Sequence, residues 1–234
     1  MSQPTKVIDL NADLGEGVTD DEGLLRVVTS ANVACGYHAG DATIMRSVCE
    51  QAARRGVAVG AQVSYDDRPN FGRVPLDVAY EVLRNQVADQ VEVLSSIAES
   101  VGTTVDYVKP HGALYSRVVR DEEQARAVLD GSGALPVLGL PGSLFLDLAS
   151  AAGRRTLREG FPDRGYTSEG TLIPRGEPGA LFHDPGRIAS RAVEMAGSGG
   201  IDSVCVHGDS PEAVDSATEV RRRLEAAGFD LRPF

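Results

Sequence analysis

The stretch DVAYEVLRNQVADQVEVLSSIAESVGTTVDYVKPHG, Asp77–Gly112, carries the pattern from which the fold is read. Leu83, Val87, Val91, Leu94, Ile97 or Ala98, and Val101 step by three or four residues, the period of a helix with one buried face. A short apolar run, Thr104–Val108, follows and ends on Lys109-Pro110-His111-Gly112. The unit is therefore an amphipathic helix, a strand, and a polar strand end. Working outward, the same alternation predicts strands at Lys6–Leu10, Ala31–Ala34, Val57–Ala61, Pro136–Leu140, Thr156–Glu159 and Ser203–Val206.

Helix punctuation agrees with this division. Asp41 precedes Ala42-Thr43-Ile44, and Gly56 closes that helix. Asp184-Pro185 and Ser210-Pro211 each place a capping side chain before a proline at the first helical position, and Gly228 follows the last helix. Repeated βα alternation reads as an α/β fold with a parallel sheet, doubly wound or closed into a barrel. No repeat, low-complexity tract or linker interrupts it, and Gly197–Gly200 reads as a turn, so residues 1–234 are predicted to form a single domain. Asp163–Ala180 breaks the alternation. Its glycines and prolines mark a hairpin or ordered loop, and a loop of that length in a compact domain points to function.

Composition narrows the classes. The chain has 234 residues, 42% of them hydrophobic and 24% charged, which is ordinary for a folded domain and unlike a disordered one. Lys plus Arg total 23 against 34 Asp plus Glu, a formal net charge of −11. That balance argues against a nucleic-acid partner and against an anionic membrane surface. Cys35, Cys49 and Cys205 are odd in number and widely spaced, so no disulfide scaffold is predicted. There is no apolar run of transmembrane length and no signal-peptide pattern, and the expected location is cytoplasmic.

Polar residues gather where the strands end. Asn11 and Asp13 come after the first run, Cys35-Gly36-Tyr37-His38 after the second, Gln62 after the third and Lys109 to Gly112 after the fourth. Pro141-Gly142-Ser143, Asp163-Arg164 and His207-Gly208-Asp209 complete the series. Carboxyl ends of parallel strands carry active sites, and three of the four histidines sit there. Each residue also has a plainer reading: Asp13 as a turn former, His38 and His111 as backbone-bonded core residues, Asp209 or Ser210 as a helix cap. His183 suits either role. Lys109 at a strand end before proline suits an anionic substrate group, and the ring's glycines would allow close approach to a ligand. No phosphate loop, dinucleotide fingerprint, H-E-x-x-H or nucleophile elbow is present. Asp13, His38 and His111 are possible metal donors at a spacing that specifies nothing.

These residues resemble the LamB/YcsF family. The matching runs are Ile8–Glu16 (IDLNADLGE), Ser30–Asp41 (SANVACGYHAGD), Tyr107–Tyr115 (YVKPHGALY), Phe161–Tyr166 (FPDRGY), Gly170–Arg175 (GTLIPR), Gly179–Asp184 (GALFHD) and Val204–Asp209 (VCVHGD), in order along nearly the whole chain. The resemblance implies a single-domain, seven-stranded β/α barrel of the polysaccharide-deacetylase type. It also implies ATP-dependent hydrolytic opening of 5-oxoproline to L-glutamate, in a 5-oxoprolinase complex with subunits B and C. Two departures stand out. Many members read G-A-H-P where this chain reads Gly60-Ala61-Gln62-Val63, and many have a longer segment than Ala196–Ser203.

A lactam carbonyl is a poor electrophile, and phosphorylating its oxygen prepares it for water. Such a site needs oxyanion donors, a base and cations. Asp13, Lys109 and His111 are assigned as catalytic: Lys109 for an anionic group, His111 for acid/base or oxyanion work, Asp13 as base or orienter. Asn11, His38, Gln62, Tyr115, Arg164 and His207 are assigned to substrate binding, with the Gln62 carboxamide suited to an amide ring. ATP with its magnesium is the expected cofactor. No tightly bound transition metal is expected, because an amide oxygen is a weak ligand beside imidazole. The rival readings are a stand-alone metal-dependent deacetylase or amidohydrolase, and a non-catalytic substrate-binding component.

Overall fold

Alternation in the first strand sets the architecture. Successive side chains of a strand point to opposite faces. In β1 (Lys6–Leu14), Asp9, Asn11 and Asp13 share one face, while Ile8, Leu10, Ala12 and Leu14 share the other, and all seven are buried. A strand buried on both faces, one polar and one apolar, belongs in a closed barrel with a polar interior. The computed structural model, which describes residues 6–18, 20–207 and 212–234, has that form.

Six further strands follow: β2 (Ser30–Ala34), β3 (Ala58–Val63), β4 (Val105–Pro110), β5 (Val137–Gly139), β6 (Thr156–Gly160) and β7 (Ser203–Val206). Each pairs in parallel with the next, and β1 pairs with both β2 and β7, closing a seven-stranded barrel. An eighth short strand, β8 (Phe229–Leu231), pairs with Lys6–Ile8 at the amino end of β1. The sequence does not announce it, since three residues after Gly228 carry no usable period. Phe234 beyond it packs edge-on against Tyr107, ring centroids 5.0 Å apart, and covers Tyr107, Leu138 and Leu157 inside the barrel.

The helices are α1 (Asp21–Leu25), α2 (Ala42–Arg55), α3 (Tyr80–Ser100), α4 (Gly112–Arg117), α5 (Glu122–Gly131), α6 (Leu144–Ala151), α7 (Pro185–Ser198) and α8 (Ala213–Ala226). Their apolar faces meet the outward residues of the strands in the main core. Asp41 caps α2 by accepting from the Thr43 and Ile44 amides, and Asp184 caps α7 through the Arg187 amide. The Ser210-Pro211 cap and the Gly208-Asp209 pair fall outside the described residues. No described helix is long and apolar enough to cross a membrane. Helix α3 buries Gln90 in its stripe rather than Val91, and the reason is local. The Gln90 carboxamide accepts from the Ser64 amide and donates to the Ser64 carbonyl, both at 2.9 Å, pinning the chain just beyond β3.

Three boundaries move. Asn11 and Asp13 lie within β1, Gln62 within β3 and Lys109 within β4, not beyond them. An inward polar residue and a strand-terminating one look alike in sequence, because both interrupt an apolar run.

Gly60 of β3 faces Tyr107 of β4 across the interior, and a Cβ there would lie 2.3 Å from the tyrosine ring. Both are fully buried, so the ring has nowhere to go. Gly60→Ala is expected to lower stability by about 1–3 kcal/mol, the usual effect of overpacking, measured as a lower urea midpoint with unchanged slope. A midpoint equal to that of the parent protein would show that the interior can yield.

Candidate active site

At the carboxyl end of the barrel, β4 turns Lys109 inward, 2% exposed. Its ammonium lies 3.0 Å from Asp13 Oδ1 and 2.8 Å from Glu159 Oε1, the latter an ion pair outside hydrogen-bond alignment. Cys205 Sγ is 3.3 Å away, and the Phe161 ring lies beneath the charge at 5.3 Å. Burial by itself would favour the neutral amine, but Asp13, Cys205 and Glu159 outweigh it and hold the Lys109 pKa well above its ordinary value. Burial would likewise raise Asp13. The Lys109 charge and its hydrogen bond instead hold that carboxyl below the usual range.

Beneath this pair, a hydrogen-bonded spine runs down the barrel. Asn32 Nδ2 donates to Asp13 Oδ1 at 2.9 Å and to Asn11 Oδ1 at 2.7 Å, and the Tyr107 hydroxyl donates to Asn32 Oδ1 at 2.6 Å. Asn11 Nδ2 donates to Ser203 Oγ, which in turn donates to Asp9. Asp9 also accepts from Thr29 and Ser30 at 2.6 Å each; burial pushes its pKa up to about 6 against these three donors.

A second cluster flanks the first. The His38 and His111 rings stack with centroids 4.0 Å apart and planes 13° from parallel, and the Phe71 ring meets both edge-on at 5.7 Å. His111 Nε2 lies 3.2 Å from the Phe71 carbonyl, which can only accept, so Nε2 carries the proton. Nδ1 is then the acceptor for Gln62 Nε2 at 2.9 Å. Phe71 reaches this position with φ +58°, a left-handed conformation that is rare for a bulky side chain and tends to mark function. At Gly72 only glycine fits, since a Cβ would lie 2.3 Å from Ser64 Oγ and 3.0 Å from His38 Cβ. Gln62 Nε2 also donates to Glu16 Oε1 at 3.1 Å. That oxygen is 3.7 Å from His111 Nδ1 and 3.9 Å from His38 Nε2. Among the described residues, neither nitrogen of His38, 1% exposed, has a hydrogen-bond partner. Burial raises the Glu16 pKa and, with the neighbouring His38, lowers that of His111 well below its ordinary value.

On the opposite wall, Asp163 Oδ2 accepts from His207 Nδ1 at 2.7 Å and from the His207 amide at 3.1 Å. This fixes the imidazole with Nε2 as its remaining acceptor, while Phe161 stacks on its face at 5.3 Å. Burial works against the Asp163 charge, but His207 and Arg164 hold its pKa down. The 163–180 segment is the ordered loop expected from its sequence, with antiparallel bridges Arg164–Leu181 and Tyr166–Leu172. Arg164 staples it by donating to the Ala180 and Ile173 carbonyls.

These groups open on one cavity of about 560 Å³. Asp13, Lys109, His111, Tyr115, Arg164 and His207 line it as assigned from sequence. Asn11, His38 and Gln62 do not; they stand behind its wall at 0–1% exposure and hold the lining groups in place. His183 does not line the cavity but faces a small adjoining hollow, which shares Arg175 and His207 with it. Of the ring's glycines, Gly40 and Gly112 serve loop packing, for a Cβ would strike the Gly15 carbonyl at 2.5 Å and the Gly72 carbonyl at 2.4 Å. Glu159 and Asn32 were missed; Asn32 had a signal, a polar residue at an inward position of the otherwise small and apolar β2, whereas Glu159 beside Arg158 in β6 had none.

A family model described as LamB/YcsF matches residues 8–234. The chain belongs to the LamB/YcsF family. The A subunit of a 5-oxoprolinase from Streptomyces avermitilis is 54% identical, covering 97% of this chain and 100% of its own. Its namesake from Mycobacterium leprae is 50% identical over 97% of this chain and 98% of its own. The crystal structure of a lactam utilization protein from Thermus thermophilus, 36% identical, superposes with a TM-score of 0.91 over 97% of this chain and 100% of that one. The catalytic domain of a peptidoglycan N-acetylglucosamine deacetylase from Eubacterium rectale, 13% identical, gives 0.55 over 100% of this chain and 90% of that one, a likeness of fold. The polysaccharide-deacetylase type of barrel expected from the LamB/YcsF motifs is thus the observed one.

The unfolded chain protonates His111 near pH 6.5, whereas the folded protein keeps it neutral to lower pH. The unfolded state therefore binds the extra proton, and this residue's contribution makes stability fall as pH drops below about 6.5. Nitrogen NMR of the imidazole is expected to show a neutral Nε2–H ring at pH 6. A charged ring at that pH would overturn the assignment.

Proposed function

We propose that this chain is the A subunit of a 5-oxoprolinase and opens 5-oxoproline to L-glutamate with hydrolysis of ATP, acting with subunits B and C in the cytoplasm. The observation that carries the reading is the pairing of an ionised Asp13, trapped by Lys109, with an imidazole, His207, oriented by Asp163, both on one cavity. The names of the relatives point the same way.

The chemistry follows from the bonds to be broken. Transfer of a phosphoryl group to the lactam oxygen, with loss of the ring N–H proton, gives a phosphorylated imidate. Water adds to its carbon. The carbon–nitrogen bond then breaks as nitrogen takes up a proton, leaving an acyl phosphate and a free amine. A second water releases phosphate and the new carboxylate. One group must accept a proton from water and return it to nitrogen, and His207, held in a single tautomer, is suited to both steps. Asp13 orients the water or the ring nitrogen. Lys109 already faces two carboxylates, so its charge keeps Asp13 ionised rather than waiting for an anion. Arg73, Arg164 and Arg175 also line the cavity and bring positive charge to the wall that substrate and phosphoryl oxygens would face. A cavity of this volume falls in the range that takes drug-sized ligands, leaving room beyond one five-membered lactam for a phosphoryl donor.

Glutamate formation from 5-oxoproline and ATP, measured with and without the partner subunits, tests the reading. The chain alone is expected to be nearly inactive, and vigorous turnover without partners would refute their requirement. In the reconstituted complex, Asp13→Asn, His111→Ala and His207→Ala are each expected to lower kcat by about 10²-fold or more. Lys109→Ala leaves Asp13 and Glu159 buried without their cation, so a stability loss of about 3–5 kcal/mol should accompany its loss of activity. Retention of more than about a tenth of parental activity by Asp13→Asn, His111→Ala and His207→Ala would reduce this barrel to a binding scaffold.

A further inference from the structure

Glu16, His38 and His111 are the only described trio of metal-donor side chains so arranged, their ligand atoms all within 4.8 Å of one another. We propose that these three residues form a site for one divalent transition-metal ion of the zinc class, and that the Gln62 carboxamide bridging two of them sets its affinity. Donors around four-coordinate zinc lie at bond lengths of about 2.0–2.2 Å; the Glu16 oxygen is already 3.7–3.9 Å from a nitrogen of each ring, and the two stacked imidazoles must tilt for both lone pairs to meet one ion.

Two features beyond proximity point to a ligand. His38 is a fully buried imidazole with both nitrogens unpartnered among the described residues, beside a carboxylate oxygen 3.9 Å from Nε2. A metal supplies the partner that no described protein group does. His111 is prepared in the manner of a ligating histidine: its Nε2–H is taken by the Phe71 carbonyl, leaving the Nδ1 lone pair as an acceptor, now occupied by the Gln62 amide that also bonds Glu16. The strained Phe71 backbone is what delivers that carbonyl. Glu16 and His111 both line the cavity, which gives an ion its way in.

This donor set differs from the one suggested by spacing alone. Asp13 is excluded, since its Oδ1 already accepts from the Lys109 ammonium and Asn32, and a dication there would face a fixed positive charge at 3.0 Å. Glu16 takes its place. Gln62 is the opposing element. Its Nε2 donates to Glu16 Oε1 and to His111 Nδ1, so the amide holds the two donors together without an ion, while its Oε1 has no partner among the described residues. Metal entry requires the amide nitrogen to withdraw. A half-turn of the carboxamide would present Oε1, a weak but usable donor. The expectation of no tightly bound transition metal thus becomes a graded one: the site exists, and Gln62 weakens it. This inference stands apart from the lactam-opening reading, because its test reads binding and not turnover.

The full chain, stripped with chelator and desalted, is titrated with zinc against a chromophoric competitor and with cobalt(II) by visible absorption. The parent protein is expected to take up one zinc per chain, melt at a higher temperature with zinc, and give a cobalt spectrum of nitrogen–oxygen ligation. Gln62→His is expected to bind zinc at least about tenfold more tightly, and His38→Ala at least about tenfold more weakly. His38→Gln, closer in volume, replaces His38→Ala if the latter melts early in metal-free buffer. Failure of the parent protein to bind zinc, equal binding by both His38 variants, or no gain with Gln62→His would each overturn the proposal.

Discussion

A lysine ammonium sealed inside a barrel is the constraint to which the rest of the molecule answers. Lys109 cannot leave the interior, so its charge must be met there, and Asp13 from β1 and Glu159 from β6 meet it. Removing ions from water is costly unless each is paired and its remaining polar atoms are bonded. That requirement explains why the interior continues as asparagine, serine and tyrosine rather than leucine: Asn32 fixes Asp13, Asn11 fixes Asn32, and Ser203 and Asp9 complete the line. Barrel closure serves the same requirement, for seven strands that surround these groups shield them from competing water.

The two ends of the barrel are then different materials. At the amino end, Tyr107, Leu138 and Leu157 close the interior with Phe234 across them, and Gly60 makes the room that the tyrosine ring occupies. At the carboxyl end, the inward positions are Asp13, Gln62, Lys109 and, just past the strands, His111 and His207. Rigidity below serves precision above. A site built on strand positions, with hydrogen bonds orienting each functional group, holds its geometry better than one built on loops. Phe71 and the 163–180 loop do bring loop backbone to it, and both are stapled, one by His111 and one by Arg164.

Much of this was legible in the sequence. Seven strand positions, the long amphipathic α3, the Asp41 and Asp184 caps and the ordered 163–180 loop all follow from period and punctuation. The polar strand ends lead to the cavity, because Asp13, Lys109, His111 and His207, gathered at one position in the βα unit, converge in space once the strands run parallel, with His38 and Gln62 behind its wall. What escaped was the difference between ending a strand and facing inward. Asp9, Asn11 and Asp13 carry that information in their two-residue spacing, but an inward polar strand is uncommon enough that the apolar half alone reads as the strand. Glu159 escaped for a related reason: a lone glutamate beside Arg158 looks like solvated surface until the barrel closes over it. The stacking of His38 on His111 had no sequence signal, since residues 73 positions apart meet only through the loop that Phe71 and Gly72 shape.

The site also shows how one barrel can accommodate two ways of handling a buried carboxylate. Asp13 is neutralised from within, by an ammonium that the chain itself supplies. Glu16, three residues on, has no such partner; it meets the His38 and His111 rings and an amide N–H. The first arrangement is permanent and stabilises a single ionisation state, which suits the water-orienting role proposed for Asp13. The second is conditional, since the Glu16 carboxyl and the His111 imidazole are bridged only by the Gln62 amide and would be bridged, together with His38, by a cation in the proposed metal site. Gln62 moderates this by lending a proton to both sides, and histidine at the same position would lend electrons instead. In the proposed metal site, a single side chain on β3 would therefore decide whether the imidazole half of the cavity is closed by a hydrogen bond or by an ion, while the Lys109 half stays as it is.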